Sequence, residues 1–263
     1  MMTIRPKKSL GQHFLKDLGI AQRIAETLSE YHGLPVLEVG PGMGVLTRFL
    51  LDEKHNLSVV EIDRHSVSYL QQNFPSLEKR IYSEDFLQMN LSKIFDAKFC
   101  VIGNYPYYIS SQIFFKVLEY REQVVCCSGM IQKEVAERLA AKPGSGKTFG
   151  ILSALIQPWY DVEYLFTVSE QVFDPPPKVK SAVVRLIRNE RKDLGCDEAL
   201  YKRVVKTAFN QRRKTLRNSL KSLFGKDFPD YHLPIFDKRP EQLSISQFVE
   251  LTIMAEKFLV FNF

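Results

Sequence analysis

The sequence is poor in cysteine, and the few it has form no recognisable bridge or metal pattern. Four occur in 263 residues, Cys100, Cys126, Cys127 and Cys196, and none are spaced C-x-x-C. Three lie in apolar runs, which fits buried free thiols in a reducing compartment rather than a disulfide scaffold. The five histidines include no H-x-x-x-H pair, so no metal site is expected. No apolar run is long enough to span a membrane, and the N-terminus lacks the apolar core of a signal peptide. Together these absences predict a cytoplasmic protein without a membrane partner. A monomer is the simplest assembly.

Acidic residues are also missing, but only locally. Lys and Arg exceed Asp and Glu by 36 to 30, a modest net charge of +6. Residues 1–16 contain Arg5, Lys7, Lys8 and Lys16 and no acid. Residues 201–220 contain Lys202, Arg203, Lys206, Arg212, Arg213, Lys214 and Arg217, again with no acid. Acid-free basic blocks suit a polyanion, RNA or DNA above all. The plainer reading of each block is a solvated face that aids solubility.

What is present reads as alternating strands and helices. A helix is predicted over residues 17–31, with Leu18, Ala21, Ile24, Ala25 and Leu28 on one face. Apolar strand-like runs follow at 36–39, 57–62, 99–102 and 124–131. Amphipathic segments lie among them, for example at 111–120 and 133–141. Strands apolar throughout and separated by helices imply a parallel sheet covered on both faces. Two more runs, 162–168 and 181–187, lie close together without a long helix between them, as an antiparallel pair at a sheet edge would. After a polar stretch near 188–197 only helices are predicted, at 201–209, 213–224 and 246–258. The expected fold is therefore α/β, a doubly wound and mostly parallel sheet with a small all-helical C-terminal domain. The boundaries read as a basic arm over 1–16, an α/β domain over 17–190 and a helical RNA-binding domain over 191–263.

Two motifs carry chemistry. Val39-Gly40-Pro41-Gly42-Met43-Gly44 puts glycines directly after a strand, where they allow a sharp turn and close approach of a ligand. About 20 residues on, Glu61 ends the next strand, placed to accept the hydroxyls of a ribose. The dinucleotide fingerprint is G-x-G-x-x-G; here the spacing is G-x-G-x-G, preceded by Glu38. This is the S-adenosyl-L-methionine pattern, with a carboxylate near the cationic end of the cofactor. Asp85, after the next strand, could accept from an adenine amine, or simply cap a helix. A tight turn with no ligand is the plain alternative for the glycine loop.

The second motif is Gly103-Asn104-Tyr105-Pro106-Tyr107, after the strand at 99–102. In an open α/β sheet such a loop faces the ligand crevice. A purine's exocyclic amine is a poor nucleophile because its lone pair is delocalised. Two acceptors aimed at its protons, the Asn104 side-chain oxygen and the Pro106 carbonyl, would stabilise the charge that develops on nitrogen. Tyr107 would offer a face for an extruded base. Neither a metal nor a strong base is needed with a sulfonium donor, and alignment carries much of the rest. Taken alone, N-x-P-Y is more often only a turn.

The chain resembles the KsgA (RsmA) family of small-subunit ribosomal RNA adenine dimethyltransferases. The resemblance rests on Leu10-Gly11-Gln12-His13-Phe14-Leu15, the Gly40 loop, Asn104-Tyr105-Pro106-Tyr107, Gln132-Lys133-Glu134-Val135, Phe173-Asp174-Pro175-Pro176-Pro177-Lys178-Val179, Ser181-Ala182-Val183-Val184-Arg185-Leu186 and the block from Phe209 to Leu220. It implies a Rossmann-like class I methyltransferase. His13, Leu15, Gly40, Glu61, Asp85 and Asn104 would contact the cofactor, and Phe173 would stack on the target base opposite Tyr107. Arg212, Arg213, Lys214 and Arg217 would bind RNA. The implied reaction is dimethylation of N6 on two adjacent adenines in a hairpin loop near the 3′ end of small-subunit rRNA, in a precursor ribosomal particle. Position 13 departs from the usual Asn, and position 105 is Tyr where Leu or Ile is common. Only the backbone of residue 105 is expected to matter.

Three other readings stay in view. A related Erm-type enzyme would act on large-subunit rRNA; the block at 210–215 and the triple proline favour the small-subunit type. A non-catalytic RNA-binding factor on the same fold would be expected to lack Asn104 or an open Gly40 loop. An NAD oxidoreductase is disfavoured by the glycine spacing. Pro143-Gly144-Ser145-Gly146-Lys147-Thr148 imitates a phosphate loop but lacks the first glycine and the preceding strand, so a flexible loop is expected. The run at 173–177 is read as a stiff connection that also holds Phe173 at the base pocket.

Overall fold

The structure is a computed structural model that describes residues 13–261, with side chains to residue 258. The arm residues Arg5, Lys7 and Lys8, and the Leu10-Gly11-Gln12 part of the first motif, lie outside the described residues. The chain divides into two compact units. One runs up to Ala136 and includes Asp161–Arg188; the other holds Glu137–Tyr160 and Asn189 onward.

The first unit is built on a seven-stranded sheet. Its strands are β2 (Pro35–Val39), β3 (Asn56–Val60), β4 (Ile81–Tyr82), β5 (Phe99–Asn104), β6 (Val124–Gln132), β7 (Tyr160–Val168) and β9 (Ser181–Arg188), in the order β4-β3-β2-β5-β6-β9-β7. Every pair from β4 to β6 is parallel, and β6 pairs antiparallel with β9. Two short strands, β1 (Phe14–Leu15) and β8 (Phe173–Asp174), form a separate antiparallel pair. Helices α1 (Leu18–Ala25), α2 (Val45–Asp52), α3 (Arg64–Asn73) and α4 (Ser110–Glu119) connect the first strands.

The strands form where the sequence is apolar because both sheet faces are covered. Val36, Leu37, Leu57, Val101 and Ile102 are 0% exposed. Each such side chain contributes roughly 1.5–3 kcal/mol on burial. β2 sits between β3 and β5, so the strand order reverses there, and the carboxyl ends of β2 and β5 flank the crevice.

The predicted helix over 17–31 is an α-helix only to Ala25. Asp17 caps it by accepting the Ile20 N–H at 3.1 Å, and it tightens to 3-10 turns over Glu26–Tyr31.

The second unit holds the C-terminal half of α5 (Lys133–Ala140), then α6 (Ile151–Ile156), α7 (Glu198–Asn210), α8 (Leu216–Ser219), α9 (Lys221–Phe224) and α10 (Ile245–Phe261). Residues 137–160 cluster here, although the sequence assigned them to the first domain. The reason is packing: Ala154, Leu155 and Ile156 are buried, and the Tyr201 hydroxyl on α7 donates to the Ala154 carbonyl at 2.9 Å. Phe224, Phe228 and Phe236 form a ring cluster with centroids 4.8–6.4 Å apart.

One helix predicted over 213–224 is instead α8 and α9, after a turn holding Arg213 and Lys214. Its buried face, Leu216, Leu220 and Phe224, survives the break. The loop at 143–148 is held by neighbours rather than loose. Arg212 Nη2 donates to the carbonyls of Lys147 at 2.6 Å and Phe149 at 3.1 Å. No helix among the described residues is long and apolar enough to cross a membrane.

Candidate functional site

A cavity of about 220 Å³ opens at the carboxyl ends of β2, β3 and β5. Its wall includes the Gly40 loop, Glu38, Glu61, Asp85, Asn104, Tyr107 and Tyr108. His13, Leu15 and Phe173 also reach it.

The glycine loop is a backbone necessity. Gly40, Gly42 and Gly44 have φ of 70°, 55° and 73°, a region that costs little only for glycine. A Cβ at Gly44 would also lie 2.3 Å from the Phe74 ring. The turn brings the Gly42 N–H to Glu61 Oε2 at 3.0 Å, while the Asp63 N–H donates to Oε1 at 2.9 Å. Glu61 is thus locked in place, with its pKa raised mainly by burial.

Glu38 is 1% exposed and accepts the Thr47 hydroxyl at 2.7 Å. Burial pushes its carboxyl up to about 8. An apolar wall thus holds a carboxyl group that a bound cation would ionise. Asp85 accepts the Leu87 N–H at 2.9 Å in a turn rather than capping a helix, and it lines the cavity.

Asn104 is the last residue of β5 and half-buried, and no group among the described residues hydrogen-bonds its side chain. Gly40 and Pro106 are neighbours: a Cβ on Gly40 would stand 3.9 Å from Pro106 Cδ. The Pro106 carbonyl accepts the Ile109 N–H at 3.2 Å, which leaves its second lone pair for a ligand. The Tyr107 hydroxyl is 2.6 Å from Ser181 Oγ, which fixes the ring.

His13 stacks on Tyr107 with centroids 5.8 Å apart, and its Nδ1 lies 2.8 Å from the Pro175 carbonyl. Only an N–H donates to a carbonyl, so Nδ1 carries the proton. His13 thus braces Tyr107 against the proline segment.

Four placements differ from the sequence reading. Tyr105 is not a bystander: its side chain is 1% exposed, and its hydroxyl donates to the Ser128 carbonyl at 2.7 Å. It fills space left by Gly103 and Gly129, where a Cβ would meet its ring at 2.8 Å and 2.5 Å. Phe173 lines the cavity but is 1% exposed, packed in the core through β8. Tyr108, 58% exposed, is the aromatic that offers an open face, and Ile62, 54% exposed, adds an apolar one. Sequence reasoning named neither; the only signal was position, directly after Tyr107 and after Glu61. Finally, Arg217 pairs with Asp237 at 2.7 Å and Arg212 holds the 146–149 loop, whereas Arg213 and Lys214 are exposed.

The family model for ribosomal RNA adenine dimethylase matches residues 4–257. The chain belongs to that family. Among its relatives is ribosomal RNA small subunit methyltransferase A of Parabacteroides distasonis, 72% identical over 98% of this chain and 97% of the relative. A dimethyladenosine transferase from Plasmodium falciparum superposes with a TM-score of 0.77 at 27% identity, covering 94% of this chain and 98% of that one. The 23S rRNA methyltransferase ErmE superposes less closely, with a TM-score of 0.66 at 27% identity over 91% of this chain and 99% of that one.

Proposed function

We propose that this chain transfers methyl groups from S-adenosyl-L-methionine to N6 of two adjacent adenines near the 3′ end of small-subunit rRNA, in a precursor ribosomal particle in the cytoplasm. The observation that carries this reading is the juxtaposition of Gly40 with the Asn104-Tyr105-Pro106-Tyr107 loop in one cavity. The 72% identity to a small-subunit methyltransferase favours this target over the large-subunit one.

The residues present fit the methyl donor. The positive-φ glycines leave bare backbone at the end of β2, Glu61 offers fixed carboxylate oxygens for a ribose, and Glu38 offers a carboxyl for a cationic group. When bound, the donor supplies a methyl already activated by its sulfonium. The chain's task is to present the amine. In the first transfer Asn104 Oδ1 and the Pro106 carbonyl accept its two N–H groups, which localises the nitrogen lone pair and stabilises the charge that develops. The surplus proton on nitrogen then leaves to solvent, and one N–H remains to be held in the second transfer. Tyr107, pinned by Ser181 and His13, gives the base a flat wall, with Tyr108 at the rim. Lys202, Arg203, Lys206, Arg213 and Lys214, all exposed, meet RNA phosphates.

The test is Asn104→Ala, assayed on precursor small subunits with labelled methyl donor. Methyl transfer should fall at least about 100-fold, the usual cost of removing one such electrostatic contact. RNA affinity should be kept. Activity equal to wild type would remove Asn104 from the chemistry.

A further inference from the structure

At the opposite ends of the same strands lies a cluster that methyl transfer does not use. His32 follows the 3-10 segment before β2, and Glu53 and His55 lie between α2 and β3. A ligand-capable atom from each of the three falls within 4.8 Å of the others. His55 is 4% exposed, yet neither of its ring nitrogens has a hydrogen-bond partner, and neither does Glu53 Oε2. His55 Nε2 and Glu53 Oε2 stand 3.5 Å apart without hydrogen-bonding geometry. Buried polar atoms are ordinarily satisfied, so His55 Nε2 and Glu53 Oε2, orphans that face each other, call for a partner.

The backbone makes this arrangement. Lys54 has φ of 60°, an uncommon conformation for a residue other than glycine. It ends α2 in a Schellman turn, with the His55 N–H donating to the Leu50 carbonyl and the Lys54 N–H to the Leu51 carbonyl. That turn brings Glu53 and His55 to one side, where the His32 ring stacks on His55 at 4.8 Å.

We propose that His32, Glu53 and His55 bind one divalent transition-metal cation, Zn²⁺ by preference. Two imidazoles and one carboxylate are a common zinc donor set, with ligand bonds of about 2.0–2.2 Å and a water in the fourth position. Ligand atoms around such an ion stand about 3.3 Å apart, so the trio has to contract from its present span. Exposed His32 is the arm able to swing and tilt out of its stack. The ion would staple the segment before β2 to the segment before β3 and leave the cavity at the far ends alone.

The test uses the full chain, stripped with chelator and titrated with Zn²⁺ by calorimetry, with Co²⁺ as an optical probe. One equivalent should bind, and Zn²⁺ should raise the melting temperature. His32→Ala and Glu53→Gln should each weaken binding at least about 10-fold. His32 is exposed, so His32→Ala should melt like the metal-free wild type and retain methyl transfer. Cys196→Ser should still bind, and the Co²⁺ spectrum should lack a thiolate band. No saturable binding, binding unchanged in both ligand variants, or binding lost in Cys196→Ser would overturn the proposal.

Discussion

Glu38→Gln isolates a proton that folding captures. The Glu38 carboxyl is pushed up to about 8 by burial, with the Thr47 hydroxyl opposing the shift and the Glu61 charge adding to it. In an unfolded chain it would titrate near 4.3. Between those two values the native state holds a proton that the unfolded state has released. The contribution of this group to stability is therefore complete below about pH 4 and is lost as pH rises towards about 8. One proton across one pH unit is worth about 1.4 kcal/mol. Between about pH 5.5 and 7.5 wild type should lose about 3 kcal/mol that a non-titrating glutamine does not. The glutamine oxygen can still accept the Thr47 hydroxyl. An unsatisfied amide N–H would lower the whole curve by about 1–3 kcal/mol without changing its slope. Glu61, whose pKa is also raised, titrates in both proteins and largely cancels in the difference. The assay is urea unfolding across this pH range without methyl donor. A wild-type-minus-variant difference that stays flat would refute the view that Glu38 is buried in protonated form.

Four further outcomes separate structural from functional residues. Arg212→Ala should destabilise the helical unit by about 1–3 kcal/mol, because its loop carbonyls lose a charged donor; unchanged thermal melts would contradict this. Arg213→Ala with Lys214→Ala should melt normally and lower the slope of log affinity for RNA against log salt by about one per lost phosphate contact; an unaltered slope would remove the pair from the RNA interface. Tyr105→Phe should cost about 1 kcal/mol by depriving the Ser128 carbonyl of its donor. Gly103→Ala should cost about 1–3 kcal/mol and depress methyl transfer, because its Cβ would stand 2.5 Å from the Val39 carbonyl, one residue before Asn104. Unfolding midpoints equal to wild type in both variants would show that the ring is not wedged against the strand.

The cavity was legible because its parts follow the chain's own rules. Gly40, Glu61 and Asn104 each sit at or just past the end of an apolar strand, and strand ends on one side of a parallel sheet converge. Tyr105 was not legible: an aromatic in a turn motif reads as a surface residue until Gly103 and Gly129 are seen to leave it a slot. The basic block at 212–217 looked uniform because charge counting cannot tell which guanidinium reaches a carbonyl or a carboxylate. Arg212 and Arg217 do, and Arg213 and Lys214 do not.

Sequence alone determined the parallel sheet, the glycine turn and the loop after β5, because hydrophobic period and backbone freedom are local properties. Tertiary structure decided which residues share a neighbourhood. It moved 137–160 into the helical unit, buried Phe173, left Tyr108 open and gathered His32, Glu53 and His55. Those outcomes depend on contacts between segments distant in the chain, and no pattern along a single segment encodes them.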